Sequence, residues 1–178
     1  MTGDAKRAGD AVLGTFEWRD GNAAFTPVFR SAETLQLLGA GLAEPFRDLG
    51  ITAVIAPEAR GFILGALCAT SLGVGFVAAR KPGELRTGDR VDVQSDPDWR
   101  GRRITFSIAN VLTSADRVLI VDDWIETGSQ ANAIARAISQ MGATLVGTSV
   151  IVDQAPDSIR TELNVIVLLR WDELPPGG

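Results

Sequence analysis

The residues best placed for chemistry lie in the run 118–130, VLIVDDWIETGSQ. An apolar stretch delivers two adjacent carboxylates, Asp122 and Asp123. After three intervening residues, Thr127, Gly128, Ser129 and Gln130 open a helical pattern. Gly128 lets backbone approach an anion, and the first amides of the following helix point at it with the positive end of the helix dipole. Thr127 and Ser129 add hydroxyl donors. Paired carboxylates at the strand end repel a phosphate but suit vicinal hydroxyls or a Mg²⁺ ion. The combination points to a sugar phosphate, with hydroxyls at the acids and phosphate at the helix start. The plainer alternative is a strand followed by an ordinary capped helix.

What the chain lacks narrows the chemistry. Its 178 residues include no histidine, which removes Ser-His-Asp triads, Cys-His pairs and HExxH zinc sites. A single cysteine, Cys68, removes disulfide frameworks and CxxC metal sites. It sits in FILGALCATSLG and reads as a small buried hydrophobe. No GxxxxGK[ST] run supports a P-loop NTPase. A formal charge of −5 argues against broad nucleic-acid binding. No signal-like or bilayer-length apolar segment is seen, so the expectation is a cytoplasmic protein with no membrane partner.

The elements that must position these residues alternate. Residues 1–12 read as a flexible polar start. Residues 31–48 carry leucines at helical spacing behind Ser31, and Gly50 stops them. ITAVIAP, GVGFVAAR, RVLIVDD, TLVGTSVIVD and NVIVLL read as buried strands, and RRITFSIANVL as a strand by alternation. ARGFILGALCATSLG and GSQANAIARAISQMG read as helices, with a short helix near 156–163. Near-continuous apolar strands alternating with helices predict one α/β domain over 1–178, a doubly wound, mostly parallel sheet with helices on both faces. The polar span after Lys81 reads as a mobile loop over 84–102. Ligands of such sheets sit at the carboxyl ends of the strands. Residues 57–61, 80–83 and 122–130 all fall there.

At this point the chain resembles the type I phosphoribosyltransferases, and among them the adenine phosphoribosyltransferase-like proteins. VLIVDDWIETGSQ resembles their motif for phosphoribosyl pyrophosphate (PRPP). PEARGFILG resembles their pyrophosphate loop, and ARKPGEL their following basic segment. The likeness spans about residues 25–153, with the motifs in order. It implies the type I fold with a small hood, and transfer of ribose 5-phosphate from PRPP to a nucleobase, adenine-like by preference, with pyrophosphate released. It further implies Mg²⁺ carried with PRPP, with Asp122 and Asp123 as its nearest protein oxygens, and a homodimer without nucleic-acid partners. By position, Asp122 and Asp123 would take the ribose hydroxyls, and Thr127, Gly128, Ser129 and Gln130 the 5′-phosphate. Arg60, Arg80, Lys81 and Arg102 would meet pyrophosphate, Arg60 through a loop that often holds a non-prolyl cis peptide. Val28, Phe29 and Arg30 resemble the segment that reads the base edge.

Several letters depart from the adenine pattern. Glu84 stands where a second lysine is usual, and Gln130 replaces a hydroxyl. Glu126 resembles the acid that 6-oxopurine enzymes place near the imidazole of the base. It is a candidate acid/base, or a first-turn acid favoured by the helix dipole. Asp98 and Trp99 stand where the adenine enzymes carry a loop Glu-Tyr, so Asp98 is a second catalytic candidate, or part of a surface turn. Trp124 either stacks on the base or packs in the core. Of Arg102 and Arg103, one meets phosphate and the other is solvated. The acceptor base, the choice between Asp98 and Glu126, and the pathway stay open. So does a second reading of the whole, a non-catalytic PRPP- or nucleotide-binding regulator.

Overall fold

The computed structural model describes residues 3–82, 88–98 and 100–176. Glu84 and Trp99, and with them part of the expected loop, lie outside the described residues. A seven-stranded sheet has the order β5-β6-β4-β3-β7-β8-β9. Its parallel part is β3 (Ala53–Pro57), β4 (Gly75–Arg80), β7 (Arg117–Ile125), β8 (Thr144–Asp153) and β9 (Val165–Arg170). The antiparallel edge is β5 (Arg90–Gln94) and β6 (Thr105–Ala109). The doubly wound, mostly parallel sheet is therefore as expected.

Pleating explains the two covered faces. Val54 and Ala56 of β3, with Leu119 and Val121 of β7, face α3 (Ala32–Ala43) and α4 (Arg60–Leu72), meeting Leu38, Leu42, Leu64 and Cys68. Ala53, Ile55, Val118 and Ile120 face the other way, onto Ala133, Ile134, Ala137 and Ile138 of α5 (Ser129–Gln140). Burial pushes the Cys68 thiol up to about 12, which suits its reading as a hydrophobe.

Two expectations are corrected, and one element is new. The start of the chain is α1 (Asp4–Leu13), which buries Ala5, Ala8 and Val12 at helical spacing. A Cβ on Gly41 of α3 would lie 2.5 Å from that of Ala8, so the two helices touch where both side chains are smallest. The span expected as one loop contains β5, whose Val93 is buried and whose register pairs Asp92 with Ser107. Ahead of α2 (Thr26–Arg30), β1 (Glu17–Arg19) and β2 (Asn22–Ala24) form a hairpin. Asp20 and Gly21 both take positive φ at its tip, as a two-residue Asp-Gly turn does. The hairpin stands over the carboxyl ends of the parallel strands, and the Trp18 indole donates to the Pro175 carbonyl at 2.7 Å.

Candidate active site

A cavity of about 680 Å³ opens at the carboxyl ends of β3 and β7. It gathers residues from three turns that the sequence separates by up to about seventy positions. From the turn after β3 come Pro57, Glu58, Ala59 and Arg60; from the turn after β4, Lys81; from the end of β7 and the start of α5, residues 122–131. Asp98 and Arg102 complete one wall, and Trp18, Asn22, Ala23 and Phe25 form the hood side.

β7 is long because each of its residues from Val118 to Val121 is buried, and it carries the strand geometry through both aspartates. The Asp122 carboxylate accepts from the Asp123 amide at 2.8 Å. Burial, then the neighbouring Asp123 charge, raises its pKa well above the ordinary carboxylate value, while Arg60 pulls the other way. The Arg60 guanidinium comes within 2.9 Å of Asp123 Oδ2 and stacks 5.2 Å from the Phe25 ring centre. No N–H is aimed at that oxygen, so Asp123 Oδ2 is a buried acceptor without a hydrogen-bond donor. A hydroxyl of a bound sugar has the polarity to satisfy it.

The turn that carries Arg60 is held from two sides. Glu58 donates its amide to Ala79 and accepts the Lys81 amide at 2.9 Å, tying the β3 and β4 turns together. The Glu58–Ala59 peptide is cis, as the resemblance implies. A Cβ on Gly61 would press on Pro57 and on Asp122 Oδ1, so glycine lets α4 start against the β7 acid.

Gly128 caps α5 with φ 73°, and a Cβ there would lie 2.4 Å from Ile159 Cγ2. Both facts require glycine. The Thr127 hydroxyl accepts from the Ser129 amide at 3.3 Å, and Ser129 is buried at the helix mouth. Beyond them the first turn of α5 leaves backbone N–H groups for an anion.

The two acid candidates stand apart. Asp98 Oδ1 accepts the amides of Arg100 and Arg102, both at 2.8 Å, and Oδ2 faces the Arg102 guanidinium at 2.8 Å. These bonds, the Arg102 amide foremost, hold its carboxyl below the usual range. Glu126 is shifted the other way, chiefly by burial and then by the Asp98 charge, with Arg100 opposing. Glu126 therefore has the environment of a proton carrier, and Asp98 that of the organiser of a turn.

Other candidates divide. Lys81 and Arg102 line the cavity. The Arg80 guanidinium lies over the Phe62 ring at 5.3 Å, and Arg80 is not among the lining residues. Nor are Val28, Phe29 and Arg30: Val28 is fully buried, Phe29 stacks on Phe25, and Arg30 is exposed. The short helix α2 turns them away, and Phe25, just ahead of it, forms the wall instead. Trp124 does line the cavity, edge-on to Trp18 and Phe25 at 6.3 and 6.4 Å, and so belongs both to the wall and to an aromatic cluster. Asn22, Phe25 and Gln154 also line the cavity, and no binding or catalytic motif marks them in the sequence. The Asp-Gly turn is the signal for the hairpin that holds Asn22 and that Phe25 follows.

Among the described residues, no group of three or more His, Cys, Asp or Glu side chains is arranged to hold a metal, and no helix is long and apolar enough to cross a membrane.

No family model matches the chain. It is similar to the adenine phosphoribosyltransferase of Synechococcus sp., with 40% identity over 134 residues, 74% of this chain and 77% of the relative. The crystal structure of adenine phosphoribosyltransferase from Rhodothermus marinus matches it with a TM-score of 0.78 and 29% identity, covering 92% of this chain and 98% of that one. The Saccharomyces cerevisiae adenine phosphoribosyltransferase matches with a TM-score of 0.77 and 28% identity, over 92% and 99% of the two chains. That structure holds adenine together with an imino-altritol bisphosphate.

Proposed function

The chain belongs to the adenine phosphoribosyltransferase family, and from that premise we infer that it moves the ribose 5-phosphate of PRPP onto a purine, adenine first, releasing pyrophosphate. One observation carries the reading: the hydroxyl-accepting Asp123 and the anion-accepting start of α5 share a cavity with the cations Arg60 and Lys81. Those are the three chemistries that PRPP presents. The retained cations speak against a non-catalytic regulator, and nothing observed favours one.

In this reading the ribose hydroxyls bind Asp122 and Asp123, and the 5′-phosphate lies on Thr127, Gly128, Ser129 and Gln130. A hydroxyl that donates to Asp123 Oδ2 replaces Arg60 there and frees its guanidinium for the pyrophosphate, beside Lys81. Arg102 can join only by leaving Asp98, and Arg80 only by leaving the Phe62 ring. The C1–oxygen bond to pyrophosphate then loosens toward an oxocarbenium-like state, stabilised at the leaving group by these cations. A ring nitrogen of the base forms the new C1–N bond, and its proton passes to Glu126, whose raised pKa suits the transfer. Asp98 acts through the Arg100 and Arg102 turn.

The carboxylate set fits a Mg²⁺ that arrives on PRPP better than one held in a protein cage. Such an ion, when bound, neutralises the pyrophosphate oxygens. Trp124, beside the Phe25 edge, offers the base an apolar wall. The same reading takes 1–178 as one cytoplasmic domain, a homodimer without nucleic-acid or membrane partners.

The test is a screen of common purines and pyrimidines with PRPP and Mg²⁺ for pyrophosphate release. Release that requires adenine supports the reading. PRPP binding without release for any base returns the non-catalytic alternative.

A further inference from the structure

Gln154 follows the buried end of β8, where its amide donates to the Ile125 carbonyl at 2.9 Å. That bond holds it next to Glu126 across the strand ends. Its side chain lines the same cavity, and its Oε1 accepts from the Trp124 indole Nε1 at 3.3 Å. An amide end is interchangeable by rotation, so it reads no polarity until something orients it. Indole N–H can only donate. It therefore takes the oxygen end of Gln154 and leaves the two Nε2 hydrogens to face other partners. The indole is itself braced edge-on by Trp18 and Phe25, so the orienting group is held.

We propose that Gln154 is a specificity-determining residue of the base subsite, donating from Nε2 to an unprotonated acceptor on the edge of the purine. The proposal rests on the phosphoribosyl-transfer reading and adds a polarity to it: the base must offer a lone pair at that edge. A base that presents an N–H there leaves two donors facing each other, an arrangement that sites built for hydrogen bonding reject strongly. Trp124 has a double part, as an apolar wall and as the group that locks the amide.

Calorimetric titration of AMP and of ribose 5-phosphate separates the base from the sugar phosphate. Gln154→Leu is expected to weaken AMP roughly three- to tenfold, the range of one neutral hydrogen bond, and to leave ribose 5-phosphate unchanged. Among 1-deaza-, 3-deaza- and 7-deaza-AMP, the analogue lacking the acceptor binds wild type and Gln154→Leu alike. Trp124→Phe keeps a ring but removes the N–H, and reduces the difference that Gln154→Leu makes in that background. Unchanged AMP affinity in Gln154→Leu overturns the proposal alone, as does equal weakening of AMP and ribose 5-phosphate, or a Gln154→Leu effect that survives in all three analogues. Failure of wild type to bind either ligand removes the proposed function, and this inference with it.

Discussion

Arg60 and Asp123 meet at 2.9 Å, yet the guanidinium directs no N–H at the buried Asp123 oxygen. A half-exposed cation thus covers a carboxylate that burial leaves short of a donor. A sugar hydroxyl that donates to that oxygen satisfies it and releases Arg60 to another partner.

This makes Arg60 a group with two partners in turn. Arg60→Ala is expected to lower kcat/KM for PRPP by about 10²–10³, the scale of one preorganised charge contact in a transition state. Arg60→Lys restores little, because a point charge replaces a fork that also stacks on Phe25. Steady-state kinetics of the two variants decide this, and full activity in Arg60→Lys counts against it.

Asp122 carries the opposite expense. Its pKa is raised by folding, so the native chain holds a proton at a pH where the unfolded chain has released it. The stability this group contributes is complete below the ordinary carboxylate value and is lost as pH rises through the raised one. Asp122→Asn, which has no charge to bury, is therefore more stable than wild type at pH 7.5, by about 3 °C or more in Tm. The gap closes as pH falls to the ordinary carboxylate value, about pH 4. The variant also binds PRPP less tightly, as expected where a site is built at the cost of stability. Thermal melts across that range check it; a gap independent of pH contradicts it.

Glu126 and Asp98 are separated by their shifts. Glu126→Gln is expected to lower kcat by about 10²–10⁴ and to remove the acidic limb of the pH–rate profile, since deprotonation of Glu126 lies above the usual carboxylate range. Asp98→Asn loses its hold on Arg102 and acts mainly on KM for PRPP. If Asp98→Asn removes the acidic limb while Glu126→Gln keeps it, the two roles are exchanged.

Gly128→Ala meets two obstacles, a positive φ and the Ile159 methyl at 2.4 Å. The backbone part alone costs about 1–2 kcal/mol. Adding Ile159→Ala relieves the contact and not the φ, so the double variant recovers only part of the lost Tm and phosphate affinity.

Most of the frame was legible because buried parallel strands are written in continuous apolar letters, as RVLIVDD and TLVGTSVIVD are. The ligand ends of those strands follow from the architecture, which is why Asp122, Asp123, Gly128 and Arg60 were found together. α1 was missed because its buried stripe is Ala5, Ala8 and Val12, small residues scattered among charges. Its partner is the glycine-bearing face of α3, which no local pattern announces. β5 was missed because RVDVQ is short and polar on its outer side. The base side was read least well. Asn22 belongs to the hairpin that Asp20-Gly21 announces, Phe25 follows that hairpin ahead of α2, and Gln154 acquires a meaning only from the Trp124 indole, thirty residues away.

The most direct measurement of the central claim is product stoichiometry with PRPP, Mg²⁺ and adenine. One AMP and one pyrophosphate per PRPP consumed is the predicted result. PRPP consumed without nucleotide, or left intact with adenine present, would contradict it.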